Sequence, residues 1–262
     1  MDKFDIIVIA GQSNAQGMGV GEVKNEYNPT PDIWQLEQPK TVEHRSDAAV
    51  VTFTGSPQLS IADEILNNNK EKVGNFAFSF ARNYIEKGLL QDRRKVLIVR
   101  SGIGGTGFKK GHWGLKDAVY LKTLELIDYA LALNPENKLK AFLWHQGEHD
   151  AFEKNDSDVF EKQLLGMVMS VRERYKTPTL PFIAADFVHD WKNKNLSDCA
   201  PIVEKIRKVI QQIDNAAFVE TGGLLSNDEK NANGDDIHFC REALYELGER
   251  YFQAFLGIKG EK

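Results

Sequence analysis

The amino-terminal segment that decides the fold reads FDIIVIAGQSN and covers residues 4–14. Apart from Asp5, residues 4–10 are apolar and rich in β-branched side chains, which is typical of a short strand buried on both faces. Glycine and small polar residues follow at once, as Gly11, Gln12, Ser13 and Asn14. Because ligands of an open parallel sheet bind beyond the carboxyl ends of its strands, this segment predicts a central strand that leads directly into a functional site.

Further apolar runs of strand length follow along the chain, and helical periodicity fills the stretches between them. The five predicted strands cover residues 4–10, 95–100, 140–144, 181–185 and 216–219. The predicted helices cover residues 76–87, 116–133, 158–175, 202–213 and 241–255. Strands that alternate with helices favour a parallel sheet covered on both faces, since right-handed crossovers place the helices there. The sequence therefore predicts an α/β fold, a three-layer αβα sandwich around a central five-stranded parallel sheet of flavodoxin-like order.

The chain of 262 residues is within the size of one α/β domain, so we expect a single domain over residues 1–262. Residues 17–74 form an insertion that is too long for an ordinary strand-to-helix connection and is punctuated by glycine and proline. We expect this insertion to contain a small hairpin around residues 32–35 and to build one wall of a pocket.

Composition argues against several classes of partner. The net charge is −5, and the short basic stretches at 93–95 and 109–110 lack interleaved aromatic residues, which argues against nucleic acid. No apolar run approaches the length of about 18 residues that a membrane span needs. Cys199 and Cys240 lack the spacing of a zinc site or a disulfide framework, so we expect free thiols in a reducing compartment. We also expect no metal and no cofactor. Because the amino terminus also lacks a signal-peptide pattern, the expectation is a cytoplasmic protein; the sequence does not indicate its oligomeric state.

Residues suited to nucleophilic catalysis follow different predicted strands. Ser13 comes directly after the first strand, and Asp235 and His238 come after the last. Hydrolysis by such a set needs a hydroxyl, a histidine base and a carboxylate that holds the imidazole in one tautomer. Each residue alone also has an ordinary structural role, because serine caps helices, aspartate stabilises turns, and a histidine often precedes a helix. Their convergence on one edge of the predicted sheet favours catalysis.

The motifs around these residues resemble the SGNH hydrolases, and within them the carbohydrate esterase family six and sialate O-acetylesterase-like branch. In chain order the matching blocks are Gly11-Gln12-Ser13-Asn14, then Ile103-Gly104-Gly105-Thr106 followed by Trp113, then Trp144-His145-Gln146-Gly147-Glu148-His149-Asp150, and last Asp235-Asp236-Ile237-His238. The blocks span residues 11–238, so the resemblance covers most of the chain. It implies the SGNH hydrolase form of the αβα sandwich.

The same resemblance implies roles for individual residues. Ser13 would be the nucleophile, His238 the general base, and Asp235 the carboxylate that orients the base. The oxyanion hole would consist of the backbone amide of Ser13, the backbone amide of Gly104 or Gly105, and the side-chain amide of Gln146. The wider superfamily more often uses asparagine in the last place, so glutamine lengthens that donor by one methylene.

Several residues within these blocks have open roles. Glu148 either helps to orient His238 or braces the loop, and bracing is favoured because a carboxylate beside an oxyanion would oppose the chemistry. Asp150 is similarly expected to brace a loop. His145 and His149 depart from the aromatic and small residues expected at those places, and their roles stay open.

The expected function is that of a carbohydrate O-acetylesterase, which would remove acetyl groups from small acetylated sugars such as xylo-oligosaccharides or sialic acid through an acetyl-enzyme. One alternative is a lipase- or thioesterase-type hydrolase, which the polar motifs and the lack of a long apolar lid disfavour. Another is a non-catalytic sugar-binding module of the same fold, which would not need the full set of Ser13, Asp235 and His238. Trp113 is a candidate substrate-binding residue, together with Trp34 and Phe108, although packing in the core is an equal alternative for each.

Overall fold

The computed structural model describes residues 2–45, 49–66, 72–91 and 93–260. The strands within these residues are β1 (Phe4–Gly11), β2 (Ile33–Glu37), β3 (Lys40–His44), β4 (Ala49–Phe53), β5 (Gln58–Ile61), β6 (Ile65–Leu66), β7 (Lys72–Val73), β8 (Lys95–Gly102), β9 (Lys138–His145), β10 (Phe182–Ala185) and β11 (Ala216–Val219). Seven of these described strands form one central sheet in the order β11-β10-β9-β1-β8-β2-β5. The pairs β3–β4 and β6–β7 lie outside it.

Strand β1 is the centre of the sheet, and every residue in it is buried. It pairs in parallel with β8 on one side and with β9 on the other, so that Gly11 lies opposite Gly102 and His145 at the carboxyl ends. The run β8-β1-β9-β10-β11 confirms the flavodoxin-like order. In that order the chain reverses its direction of travel across the sheet at β1, which opens a crevice beyond the ends of β8, β1 and β9.

The prediction of a five-stranded parallel sheet was wrong, because the insertion adds β2 and β5 to the central sheet. Strand β2 continues the parallel sheet beside β8, and β5 pairs with β2 in the antiparallel direction. The sequence instead predicts a hairpin around residues 32–35, which overlaps β2. The usual sign of a parallel strand is a helical crossover before it, and the long irregular connection from β1 to β2 does not provide that sign.

Helices cover both faces of the sheet and confirm the three-layer architecture. The described residues form α1 (Ser13–Gln16), α2 (Phe76–Glu86), α3 (Ala118–Ala132), α4 (Glu148–Phe152), α5 (Ser157–Arg174), α6 (His189–Lys194), α7 (Leu196–Gln212), α8 (Asn227–Asn231) and α9 (Arg241–Gly260), with a short 3₁₀ turn at Asn25–Tyr27. Helices α2 and α9 pack against each other, and α5 packs against α7. Right-handed crossovers place α2 on one face and α3, α5 and α7 on the other, since the chain reverses at β1. In the part of the chain that the structure describes, no helix has the length and apolar character needed to cross a membrane.

Gly11 marks the point at which the chain leaves the central strand for the functional site. Its φ is +129°, and a Cβ atom there would lie 2.0 Å from the carbonyl oxygen of His145. The next amide, that of Gln12, donates to the same carbonyl at 2.9 Å. Only glycine allows this approach, which fixes the ends of β1 and β9 against each other and places Ser13 just beyond the sheet.

We expect Gly11→Ala to lower the free energy of unfolding by roughly 2–4 kcal/mol, because it adds left-handed backbone strain to a steric overlap. The matched control is Gly166→Ala in α5, where a Cβ atom would meet nothing within 4 Å. That change should be neutral or stabilising by up to about 1 kcal/mol, since alanine favours the helix. Urea unfolding of both variants measures the difference, and equal effects would contradict the close contact at Gly11.

Candidate active site

An open cleft of about 930 Å³ lies beyond the carboxyl ends of β1, β8 and β9. Its walls combine residues of the sequence motifs with residues of the insertion. The lining residues are Gln12, Ser13, Gln16, Met18, Glu37, Lys40, Val42, His44, Val73, Gly104, Gly105, Glu148, His149, Phe152, Ile237 and His238. The insertion therefore forms part of the cleft wall through β2, β3 and β7.

Ser13 is the first residue of α1 and lines the cleft with 7% of its surface exposed. The N-cap position of α1 is Gln12, and no side chain caps the helix. The capping role that was the alternative for Ser13 is therefore not observed. Among the described residues, the Ser13 hydroxyl has no hydrogen-bond partner, so its oxygen is available to a ligand in the cleft.

His238 lies in the loop between α8 and α9 and lines the same cleft. Its Nδ1 atom is 2.7 Å from Oδ1 of Asp235. Burial raises the pKa of Asp235, but hydrogen bonds from His238 and Asn227 outweigh burial and hold that pKa below its ordinary value. Asp235 is therefore ionised at neutral pH, and its carboxylate holds Nδ1 so that Nε2 is the nitrogen left to act as a base.

Asn227 fixes the loop that carries this pair. Its Nδ2 donates to Oδ2 of Asp235 at 2.8 Å and to the carbonyl of Met18 at 3.0 Å, and its Oδ1 accepts from the amide of Val20 at 2.8 Å. Its backbone amide donates to the carbonyl of His238 at 2.8 Å. No sequence pattern indicates this role for Asn227, because it lies outside the motifs, at the start of a short helix.

Asn14 joins the first motif to the third and the fourth. Its buried Nδ2 donates to Oε1 of Glu148 at 3.0 Å and to the carbonyl of Ile237 at 3.2 Å. Its Oδ1 accepts from the amide of Phe239 at 3.2 Å. Asn14 therefore contacts the residues on both sides of His238, and it connects Glu148 to that loop.

His145 is the buried partner of Glu148 and does not line the cleft. Its Nε2 lies 3.2 Å from Oε1 of Glu148, and its ring packs near the rings of Phe76 and Phe239. Burial raises the pKa of Glu148, but the charge of His145 and the hydrogen bond from Asn14 outweigh burial and lower that pKa below its ordinary value. His145 thus lies against Glu148 in the buried interior and not at the cleft.

His149 lines the cleft beside Glu148. Burial lowers the pKa of its imidazole, and this effect outweighs the opposite effects of Asp150 and Glu153. His149 is therefore neutral at pH 7. Within the described residues, no group of three or more His, Cys, Asp and Glu side chains is arranged to hold a metal ion.

The glycine block packs closely against α1 and His44. The amide of Gly104 donates to Oε1 of Gln16 at 2.8 Å, and a Cβ atom on Gly104 would lie 3.5 Å from Cβ of Ser13. Gly105 has a φ of +72°, and a Cβ atom there would lie 3.0 Å from the ring of His44. Gly104 therefore lies beside Ser13, and its amide donates to the cleft-lining side chain of Gln16. Gly105 lines the same cleft beside His44.

The side chain of Gln146 is not brought to the cleft lining. It is 1% exposed, and its Nε2 donates to Oδ2 of Asp150 at 2.6 Å, with longer contacts of 3.4 Å to Oε1 of Gln12 and the carbonyl of Thr106. Asp150 also accepts from the backbone amides of residues 108–109, each at 2.9 Å. Gln146 and Asp150 thus connect the loops that follow β8 and β9.

The interpretation of Trp113 as a sugar-binding residue was wrong. Its side chain is fully buried and packs edge-on against Trp144 with ring centroids 4.9 Å apart. Trp34 and Phe108 do not line the cleft either. Phe152, which is 72% exposed, is an aromatic residue that does line it. Its position on a short helix just after the third motif gave no sequence signal for this role.

Known proteins resemble this chain along most of its length. A probable carbohydrate esterase of Arabidopsis thaliana is 23% identical over 256 residues, which cover 96% of this chain and 90% of that protein. A probable 9-O-acetyl-N-acetylneuraminic acid deacetylase of Escherichia coli K12 is 26% identical over 181 residues, which cover 57% of this chain and 54% of that protein.

A solved structure and a family model also match this chain over nearly its whole length. The crystal structure of NanS has the same fold, with a TM-score of 0.78 and 20% identity over 100% of this chain and 99% of that chain. A family model described as "Carbohydrate esterase, sialic acid-specific acetylesterase" matches residues 3–257. This match confirms the resemblance that the four motifs indicated. Because it covers nearly the whole chain, the protein belongs to the sialic acid-specific acetylesterase family of carbohydrate esterases.

Proposed function

We propose that this protein is a serine esterase that removes acetyl groups from acetylated sugars, with sialic acid and xylo-oligosaccharides as the substrate types to be compared. The observation that carries the proposal is that the Ser13 hydroxyl and the Asp235-bound imidazole of His238 line one cleft. Membership of the carbohydrate esterase family supports the acetyl ester and the sugar.

In the first half of the proposed reaction, the oxygen of Ser13 attacks the carbonyl carbon of the acetyl group while Nε2 of His238 accepts the hydroxyl proton. The ionised Asp235 stabilises the imidazolium that forms. The tetrahedral intermediate collapses when the bond between the acetyl carbon and the sugar oxygen breaks, and His238 returns the proton to that oxygen. The products of this half are a free sugar hydroxyl and acetyl-Ser13.

In the second half, a water molecule attacks the acetyl carbon and His238 accepts one of its protons. The bond between the acetyl group and the oxygen of Ser13 then breaks. His238 returns the proton to Ser13, and the product leaves as acetic acid, which loses its remaining proton to solvent and becomes acetate. The enzyme is thereby restored without a metal or a second substrate other than water.

The proposed oxyanion hole consists of the backbone amides of Ser13 and Gly104. The Ser13 amide lies at the start of α1, where helix N–H groups have no partner within the helix. The Gly104 amide donates to Gln16 in the free protein, so Gln16 has to move aside as the oxyanion forms. Gln146 is left out of this hole because its amide nitrogen donates to Asp150, and its proposed role is to brace the two loops.

The lining of the cleft supports a polar substrate over a long acyl chain. Glutamine, glutamate, lysine and histidine side chains contribute much of its wall. An apolar tail would have to desolvate these groups without forming hydrogen bonds, which is costly. The lipase-type alternative therefore has less support than the sugar esterase.

We expect Ser13→Ala to lower kcat by about 10⁴–10⁶ while the melting temperature stays nearly unchanged, as for loss of a catalytic nucleophile. The assay is acetate release from acetylated sugars and from 4-nitrophenyl acetate. Ser157→Ala, at the start of α5 and away from the cleft, is the control and should keep full activity. A fluorophosphonate probe should label Ser13 in the wild type. Retention of most activity in Ser13→Ala would refute the proposed nucleophile.

Substitution of the two candidate carboxylates should separate their roles. Asp235→Asn should lower kcat by roughly 10³–10⁴, because an amide no longer holds the productive tautomer of His238. Glu148→Gln should instead lower the free energy of unfolding by about 1–3 kcal/mol, since it weakens a buried network, and should reduce kcat by less than about tenfold. Steady-state kinetics and urea unfolding of both variants provide the measurements. The reverse order of kcat losses would assign Glu148 as the orienting carboxylate.

Gln146→Ala should destabilise the fold by about 1–3 kcal/mol, because the buried carboxylate of Asp150 loses a donor. A true oxyanion donor would behave differently, with a loss of about 10²–10³ in kcat and little change in stability or KM. Gln146→Glu is the sharper variant, since it places a second carboxylate against Asp150 and should destabilise more than alanine. A stable Gln146→Ala enzyme with kcat reduced a hundredfold would return Gln146 to the oxyanion hole.

A further inference from the structure

Lys40 brings a positive charge to the cleft from the insertion. It begins β3, is half-buried, and is the one lysine or arginine among the described residues that line the cleft. In the described part of the chain, no carboxylate lies within the 4 Å of its ammonium that would make an ion pair. The ammonium therefore reaches the cleft without a protein anion bound to it.

The surroundings of Lys40 make this charge costly in the free protein. Burial lowers the pKa of Lys40 from its ordinary value, Glu37 raises it, and Arg100 lowers it. Glu37 also lines the cleft, but it is too far away to form an ion pair with Lys40. A partly desolvated ammonium that has lost water without gaining a partner is stabilised when an anion binds to it.

The position of Lys40 suits a group on the substrate remote from the acetyl ester. Alternate residues of β3, namely Lys40, Val42 and His44, line the cleft. The His44 end of this strand contacts Gly105, beside Gly104 and the Ser13 region. Since a strand rises about 3.3 Å per residue, the backbone of Lys40 lies about 13 Å along the strand from that of His44. A sugar whose acetyl group is at Ser13 would extend along this wall toward Lys40.

We propose that Lys40 binds the carboxylate of an acidic sugar and thereby makes this esterase select sialic acid over neutral acetylated sugars. The proposal rests on the proposed function, because Ser13 must cleave the ester of the same sugar. The ammonium donates hydrogen bonds to the carboxylate oxygens and gains the partner that it lacks in the free protein. A xylo-oligosaccharide carries no such group and leaves Lys40 unpaired.

The test compares 9-O-acetyl-N-acetylneuraminic acid with its carboxyl methyl ester, which keeps the acetyl group and the ring but removes the charge. The wild type should favour the acid over the methyl ester by about 10–100-fold in kcat/KM, as expected for charge-assisted hydrogen bonds. Lys40→Met should abolish this preference through a higher KM for the acid, whereas Lys40→Arg should retain most of it. Lys87→Met, at an exposed lysine after α2, is the control and should behave as the wild type.

A binding measurement provides a second readout that does not depend on turnover. Free N-acetylneuraminic acid should bind to the Ser13→Ala protein at least tenfold more tightly than to the Ser13→Ala protein that also carries Lys40→Met. The role of Lys40 is refuted if Lys40→Met keeps the wild-type preference for the acid. It is also refuted if the wild type cleaves the acid and its methyl ester equally well. In both cases the esterase assignment stands. If the wild type cleaves neither these sugars nor 4-nitrophenyl acetate, the proposed function itself fails.

Discussion

The buried carboxamide of Asn14 connects segments that are far apart in the chain. From a helix of four residues it reaches Glu148 after β9 and the residues on both sides of His238 before α9. A buried polar group left without its partner costs about 1–3 kcal/mol. The fold is therefore most stable when all of these hydrogen bonds of Asn14 form together. The position of His238 relative to Ser13 is therefore set by the residue next to Ser13. Asn227 holds the same loop from the other side, through Asp235 and the carbonyl of His238.

How far the sequence could predict the structure depended on whether a residue's role is visible in its local pattern. The five core strands were predicted close to their observed bounds, because short β-branched runs buried on both faces have few other interpretations. Helix α7 begins at Leu196 and not at residue 202, and it contains Pro201, a residue that usually breaks or kinks a helix. Trp113 and Gln146 lie in the sequence motifs, but their partners, Trp144 and Asp150, are chosen by packing and not by spacing.

The cleft is formed partly by loops at the ends of the central strands and partly by the insertion. The ends of β1, β8 and β9 bring together Ser13 and the glycine block, and these strands are fixed by the core. Another part of the wall comes from β2, β3 and β7, whose cleft-lining residues include Glu37, Lys40 and His44. No motif marks these residues, because a substrate-facing wall is built by alternation along a short strand and can vary without disturbing the core. The proposed catalytic residues and the residue proposed to select the substrate thus lie in different parts of the chain.

The contact between Gln16 and Gly104 affects how the site treats ligands of different charge. Because Oε1 of Gln16 accepts the Gly104 amide at 2.8 Å, this donor is satisfied before any substrate binds. A neutral ester carbonyl is a weaker acceptor than an amide carbonyl, so the ground state gains nothing by taking its place. A negatively charged oxygen forms a stronger, charge-assisted hydrogen bond and can displace it. In the proposed oxyanion hole, Gln16 would therefore compete for the Gly104 amide and be displaced by the oxyanion of the transition state but not by the neutral substrate.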